Sequence, residues 1–255
     1  MTQLQHYSQH PWVQPPDDLT LHPSIVDIWR GPLDPPSASL DQFWEVLSSD
    51  EQERAKRFKF VEHQNRFIAA RGMLRHILGT YVHAFPHMLS FELGPHGKPF
   101  LSPAINSLQL SFNVTHSHTL ALYGVARNRD IGIDVEHERP EIDYTGMVSR
   151  IFSKEEAPLL WSLPTAQHQT TFFSCWTQKE AYLKARGEGL IFPLNQVSVR
   201  VSPEQPPGVF HIQGAPEETS RWTFRELFPQ QGYAGAIVAS GQDWDLRFLE
   251  FSLKT

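Results

Sequence analysis

Cysteine is nearly absent from this chain. Cys175 is the only one in 255 residues, so no internal disulfide can form and nothing in the cysteine usage points to an oxidising compartment. Its place beside Trp176 reads as buried packing rather than reactivity. An excess of positive charge is also missing: 22 Lys and Arg stand against 28 Asp and Glu, a net of −6. Binding nucleic acid by phosphate neutralisation needs a basic surface, so nucleic acid is excluded as a partner and any anion site has to be a local cluster. No run approaches the roughly 20 apolar residues of a membrane span. The opening MTQLQHYSQHPWVQPPDDLT lacks the apolar core of a signal peptide. The expectation is a cytoplasmic protein with no membrane partner. The histidines form no HExxH and pair with no cysteines, which removes zinc. The G-x-S-x-G elbow of serine hydrolases is absent too.

What is present begins with residues 1–18, a polar stretch expected to be a flexible tail. IVDIW at 25–29 reads as a strand. Ser39 with Gln42, and Ser49 with Gln52, read as capping boxes opening two helices. A longer helix is expected from Glu62 to His83, with Phe67, Leu74, Ile77, Leu78 and Tyr81 on its apolar face and Arg66, Arg71 and Arg75 decorating it. From Leu108, LQLSFNV, TLALYGVA and IGIDVE read as an antiparallel meander. A short helix, SKEEAPLL, is capped by Ser153 with Glu156. The helix from Phe172 to Gly189 follows, and then five strand-like segments. Helix plus meander, twice over, gives an α+β fold in two similar lobes. The boundary falls at 129, with an N-terminal lobe of 19–129 and a C-terminal lobe of 130–255.

Two stretches carry candidate chemistry. In GIDVE, residues two apart share a strand face, so Asp134 and Glu136 lie together opposite Ile131, Ile133 and Val135. Carboxylates about 6–7 Å apart on one face repel unless water screens them or a cation binds both. In FFSCWTQKEAYLKARGEG, Glu180 and Lys184 sit at the edge of the side formed by Phe172, Phe173, Trp176 and Leu183. A surface Glu–Lys pair four residues apart would face outward. The edge position instead suits a third carboxylate for a hard cation and a lysine for phosphate oxygens. His116 lies at a turn beside Ser117 and His118, where it is either a surface residue or a phosphate contact.

These stretches, in order with GKPFL and FNVTHS, resemble the 4′-phosphopantetheinyl transferases, in particular their larger Sfp-like group. The matching motifs span residues 97–193. The resemblance implies two pseudo-symmetric α/β lobes with coenzyme A and Mg²⁺ in the cleft between them. It implies an enzyme of the holo-[acyl-carrier-protein] synthase type, moving the phosphopantetheine arm of coenzyme A to a serine of an apo carrier protein and releasing adenosine 3′,5′-bisphosphate. The carrier could serve fatty acid, polyketide or nonribosomal peptide synthesis. Carried over by position, Asp134, Glu136 and Glu180 are the metal ligands and Lys184 stabilises the pyrophosphate. Lys98, Pro99, Thr115 and His116 line the coenzyme A pocket, with Arg54, Arg66 and Arg71 as further basic contacts. Glu51 stands where some relatives have a lysine. Glu180 or a metal-bound water is the candidate base, and two lobes in one chain imply a working monomer.

Two rival readings use the same residues: a metal-dependent pyrophosphohydrolase, and a non-catalytic coenzyme A or carrier-binding protein. Three clustered acids and a lysine are more than binding alone needs. The carrier surface is expected between Gly146 and Leu160, with Met147, Ile151, Phe152 and Leu159 as its contacts.

Overall fold

Leu120–Arg127, LALYGVAR, is apolar at almost every position, and a strand apolar on both faces must lie between two packed layers. In the computed structural model it does. The structure describes residues 11–139, 141–187, 192–202, 207–212 and 215–253. In chain order its elements are β1 (Ile25–Pro32), α1 (Ser37–Val46), α2 (Ser49–Lys56), α3 (Val61–Val82), β2 (Phe91–Leu93) and β3 (Pro99–Leu101). There follow β4 (Leu110–Ser117), β5 (Leu120–Arg127), β6 (Ile131–His137), α4 (Thr145–Ile151), α5 (Glu156–Ser162) and α6 (Thr165–Arg186). The chain continues through β7 (Val197–Val199), β8 (Val209–Ile212), β9 (Trp222–Leu227), β10 (Tyr233–Ser240) and β11 (Asp245–Glu250).

Two larger sheets, ordered β11-β1-β5-β4 and β6-β10-β9, pack face to face. Alternation along the strands feeds three cores. Tyr123 and Val125 of β5 pack with Met73, Leu74, Ile77 and Tyr81 of α3. Leu120 and Leu122, on the other face of β5, join Ile131, Ile133, Val135 and Ile237 between the sheets. Beyond the second sheet, Ala234, Ala236 and Val238 of β10 meet Phe172, Phe173 and Leu183 of α6. The order is thus helix, sheet, sheet, helix: an α+β fold with a long helix on each outer side.

Several boundaries differ from the sequence expectation. The C-terminal lobe does not hold all of 130–255, because β11 returns to the first sheet and pairs in parallel with β1. Asp27 on β1 accepts from the Arg247 guanidinium on β11 and from Tyr81, so a buried ion pair fixes that return. Strand β6 leaves the meander: β4 and β5 pair, but β6 pairs with β10. The supposed tail is docked in its latter part, where Val13 bridges Leu249 and Trp12 packs edge-on against Phe248. Residues 1–10 and Gly189 lie outside the described residues.

The Ser153–Glu156 cap forms as expected, the two backbone amides donating to each other's side chains at 2.6 and 3.3 Å, but other helix signals were displaced by a residue or more. Helix α1 begins after Pro36 with no side-chain cap. In α2 the capping box uses Ser48 and Glu51, the Ser48 amide donating to Glu51 Oε2 at 3.1 Å. Helix α6 begins seven residues before Phe172 and stops at Gly187, whose φ of 71° favours glycine. No helix among the described residues is long and apolar enough to cross a membrane.

Candidate active site at the junction of the two sheets

The site is built where α6 lies directly on β6. Gly132 makes this possible, since a Cβ there would overlap the Ala181 carbonyl oxygen and the Ala185 backbone. With Ile131, Ile133 and Val135 committed to the core between the sheets, Asp134 and Glu136 face α6, as the alternation requires. Glu180 and Lys184 come to meet them from one side of the helix.

Lys184 Nζ donates to Asp134 Oδ1 at 2.6 Å and lies 3.3 Å from both Thr115 Oγ1 and the Ile133 carbonyl oxygen. Asp134 is 5% exposed, and its second oxygen, Oδ2, is buried without a partner. Burial raises the Asp134 pKa against the opposing pull of Lys184. Burial also raises Glu136 and Glu180, and the negative charge of Asp134 raises both further. The Trp176 side chain, one turn earlier on α6, partly offsets that rise at Glu180. Three desolvated, mutually repelling carboxylates and an orphaned carboxylate oxygen suit a hard divalent cation. Among the described residues they are not already gathered as a ready-made metal-binding group. One oxygen of Asp134 is taken by the Lys184 ammonium instead.

The remaining expected residues divide. His116 keeps open surface near this cluster. The crowded protein around it, then the positive charge of Lys184 and more weakly that of Arg66, hold its imidazole below the usual range. His116 on β4 thus feels the charges of Lys184 on α6, of Asp134 on β6 and, most weakly, of Arg66 on α3. Arg66 is occupied by Asp34, at 3.0 Å, and by Glu62, at 2.7 Å. Arg54 lies over the Phe67 ring, 5.2 Å from its centroid.

Three expectations change. Arg71 donates to Glu51 Oε1 at 2.8 Å, and the almost fully buried Arg75 donates to Glu51 Oε2 at 2.7 Å. Glu51 therefore neutralises two arginines, and Arg71 is not a free basic group. The Lys98 ammonium lies 2.7 Å from the carbonyl oxygens of both Ile131 and Lys184, so it ties the β2–β3 hairpin to β6 and α6; Pro99 follows it as the first residue of β3. Burial lowers the Lys98 pKa to about 8. Thr115 is buried and turned toward Asp134, donating to its Oδ1 at 3.0 Å.

Sequence reasoning passed over Lys179, next to Glu180. Its ammonium is wholly buried against Glu156 and the Ile151 carbonyl. Glu156 also accepts from the amides of Ser153 and Val199. This pair binds α5, α6 and β7 together and so fixes the rotation of α6. The Lys-Glu dipeptide was the available signal: on a helix, adjacent residues diverge by about 100°, so Lys179 and Glu180 cannot serve one site.

Residues 130–238 match the family model of the 4′-phosphopantetheinyl transferase superfamily, and residues 32–126 match that of the 4′-phosphopantetheinyl transferase N-terminal region. A curated relative, the 4′-phosphopantetheinyl transferase HetI of Nostoc sp., is 41% identical over 95% of this chain and 99% of its own length. This chain belongs to the 4′-phosphopantetheinyl transferase superfamily. The transferase Sfp of Bacillus subtilis is 24% identical over 80% of this chain and 87% of its own. Among solved structures, the holo-[acyl-carrier-protein] synthase of Thermotoga maritima aligns with a TM-score of 0.33 and 18% identity, covering 44% of this chain and 62% of its own. The junction of α6 with β6 lies within the segment matched by the superfamily model.

Proposed function

We propose that this transferase moves the 4′-phosphopantetheine arm of coenzyme A to a serine hydroxyl of an apo acyl or peptidyl carrier protein, releasing adenosine 3′,5′-bisphosphate. The observation that carries the reading is the Asp134–Lys184 pair, with Asp134 Oδ2 left buried and unpartnered beside two further desolvated carboxylates. Asp134, Glu136 and Glu180 would hold a Mg²⁺ ion. When bound, that ion supplies charge neutralisation for the pyrophosphate oxygens.

The chain's own residues do the rest. Lys184, which here donates to Asp134, would turn its ammonium to the phosphate oxygens and offset the charge growing on them. Glu180, whose carboxylate lies close enough to feel the Asp134 charge, is the candidate acceptor for the serine proton. His116, as a hydrogen-bond donor, and Arg66, as the positive charge, would contact a phosphate of coenzyme A, the arginine exchanging Asp34 and Glu62 for it. Lys98 acts from beneath by holding the ends of β6 and α6, and Arg54 and Pro99 would be further coenzyme A contacts. The enzyme works as a monomer in the cytoplasm, since one chain carries both lobes.

The carrier surface we propose is narrower than the one expected from the sequence. Ile151 and Phe152 are buried in the α6 core, leaving Leu159 and Trp161 as the exposed apolar residues of α5, beside the half-buried Met147. Their substitution should raise the KM for carrier while leaving coenzyme A binding unchanged.

The deciding experiment incubates the protein with coenzyme A, Mg²⁺ and an apo carrier and then measures the carrier's intact mass. A gain of one phosphopantetheinyl group supports transfer. Cleavage of coenzyme A without that gain supports the hydrolase, and no reaction across several carriers supports a binding protein.

A further inference from the structure

The edge of β6 that faces away from β10 is satisfied by side chains, not by another strand. Asn113, Thr115 and Ser117 alternate along β4 and so share one of its faces. Asn113 Oδ1 accepts from the Ile133 amide at 2.9 Å, Thr115 Oγ1 from the Val135 amide at 3.3 Å and Ser117 Oγ from the His137 amide at 3.1 Å. Two edge strands are thereby joined through three side chains, which removes the hazard of an open edge.

The two hydroxyls do something the amide does not. A hydroxyl that accepts from a backbone amide still has its own proton to donate. Thr115 gives that proton to Asp134 Oδ1 at 3.0 Å, and Ser117 gives its proton to Glu136 Oε2 at 2.8 Å. Each carboxylate on β6 is thus gripped at one oxygen by a hydroxyl whose direction is fixed by the neighbouring amide. The chain of amide, hydroxyl and carboxylate polarises cooperatively. Asp134 keeps Oδ2 unpartnered as a result.

We propose that Thr115 and Ser117 are positioning residues that orient Asp134 and Glu136 for a divalent cation, and that this cation site forms only when the two sheets are docked. The inference rests on the reading of those carboxylates as metal ligands. Freezing a glutamate side chain costs rotamer freedom, and Ser117 meets part of that cost before any cation arrives. Loss of such outer partners typically weakens metal affinity about 10–100-fold.

The test titrates the full chain with Mn²⁺ by electron paramagnetic resonance, with coenzyme A present, alongside thermal melting in chelator. Thr115→Val keeps the shape but loses the hydroxyl and is expected to weaken Mn²⁺ at least about tenfold; Thr115→Ser keeps the hydroxyl and stays near wild type. Ser117→Ala should weaken Mn²⁺ comparably. Asn113→Ala, which breaks the same seam without touching a carboxylate, should lower the melting temperature while leaving Mn²⁺ affinity intact. Wild-type affinity in both Thr115→Val and Ser117→Ala overturns the proposal, as does an Asn113→Ala loss as large as theirs. A wild-type protein that takes up no Mn²⁺ overturns the metal reading, and this inference with it.

Discussion

Lys184 Nζ stands 2.6 Å from Asp134 Oδ1, so the two charges carried by α6 and β6 satisfy one another across the elements' packing face. The pairing neutralises Asp134 and Lys184 against each other, leaving Glu136 and Glu180 beside them, and an incoming cation and phosphate would each have to open it. Removing the lysine should therefore separate binding from chemistry. Lys184→Ala is expected to lower the single-turnover rate of carrier modification about 10²–10³-fold, the usual effect of losing one electrostatic stabiliser. The quantity to follow is the rate at saturating coenzyme A, and an unchanged value would remove Lys184 from the chemistry.

Asp34 and Glu62 compete with any phosphate for Arg66. Exposed pairs of this kind are worth about 0.2–1 kcal/mol, so Asp34→Asn should tighten coenzyme A binding by roughly 1.5- to 5-fold. Calorimetric titration reads the change directly, and it should shrink at high salt.

Glu51→Ala strands two guanidinium groups, one of them almost wholly buried. Breaking a buried pair in this way costs about 3–5 kcal/mol. Urea denaturation should show the loss as a lower midpoint with an unchanged slope.

Lys98 offers a pH signature. Its pKa falls to about 8 in the folded protein against about 10.4 for an unperturbed lysine. Between those values the unfolded chain binds the extra proton, so this group adds stability as pH rises and loses it as pH falls through about 8. Comparison with Lys98→Met by chemical denaturation should show the wild type gaining on the variant between pH 8 and about 10.4. A constant difference would contradict the depressed pKa.

Gly132→Ala pushes a methyl group into the α6 backbone. Overpacking typically costs about 1–3 kcal/mol. Here it also shifts Glu180 and Lys184 relative to Asp134. Melting temperature and transfer rate should fall together, unlike the separate effects expected at Lys184.

Much of this arrangement was legible in the sequence, and the reason is periodicity. Alternation in GIDVE put Asp134 and Glu136 opposite the isoleucines, and the 3.6-residue period put Glu180 and Lys184 on the packed edge of α6. Both follow from local geometry alone. What was hidden depends on partners distant in sequence. Nothing near Glu51 announces that Arg71 and Arg75 will converge on it from α3. GKPFL gives no sign that Lys98 will spend its ammonium on carbonyls of β6 and α6. FNVTHS suggested a ligand-facing turn around His116, but Thr115 and Ser117 turn out to face the neighbouring strand. The return of β11 to the first sheet was hidden as well, because β11 resembles any other half-buried strand until its partner is known.

That last strand sets a delay in the making of the protein. Asp27 and its ion-pair partner Arg247 are 220 residues apart, and at about 5–20 residues per second a ribosome needs roughly 10–45 s to supply one after the other. Throughout that interval β1 has a vacant hydrogen-bonding edge, the kind of surface that recruits stray strands. A nascent chain of this protein is thus open to misassociation at β1 until residues 245–250 emerge, and a change that slows their emergence should lower its soluble yield.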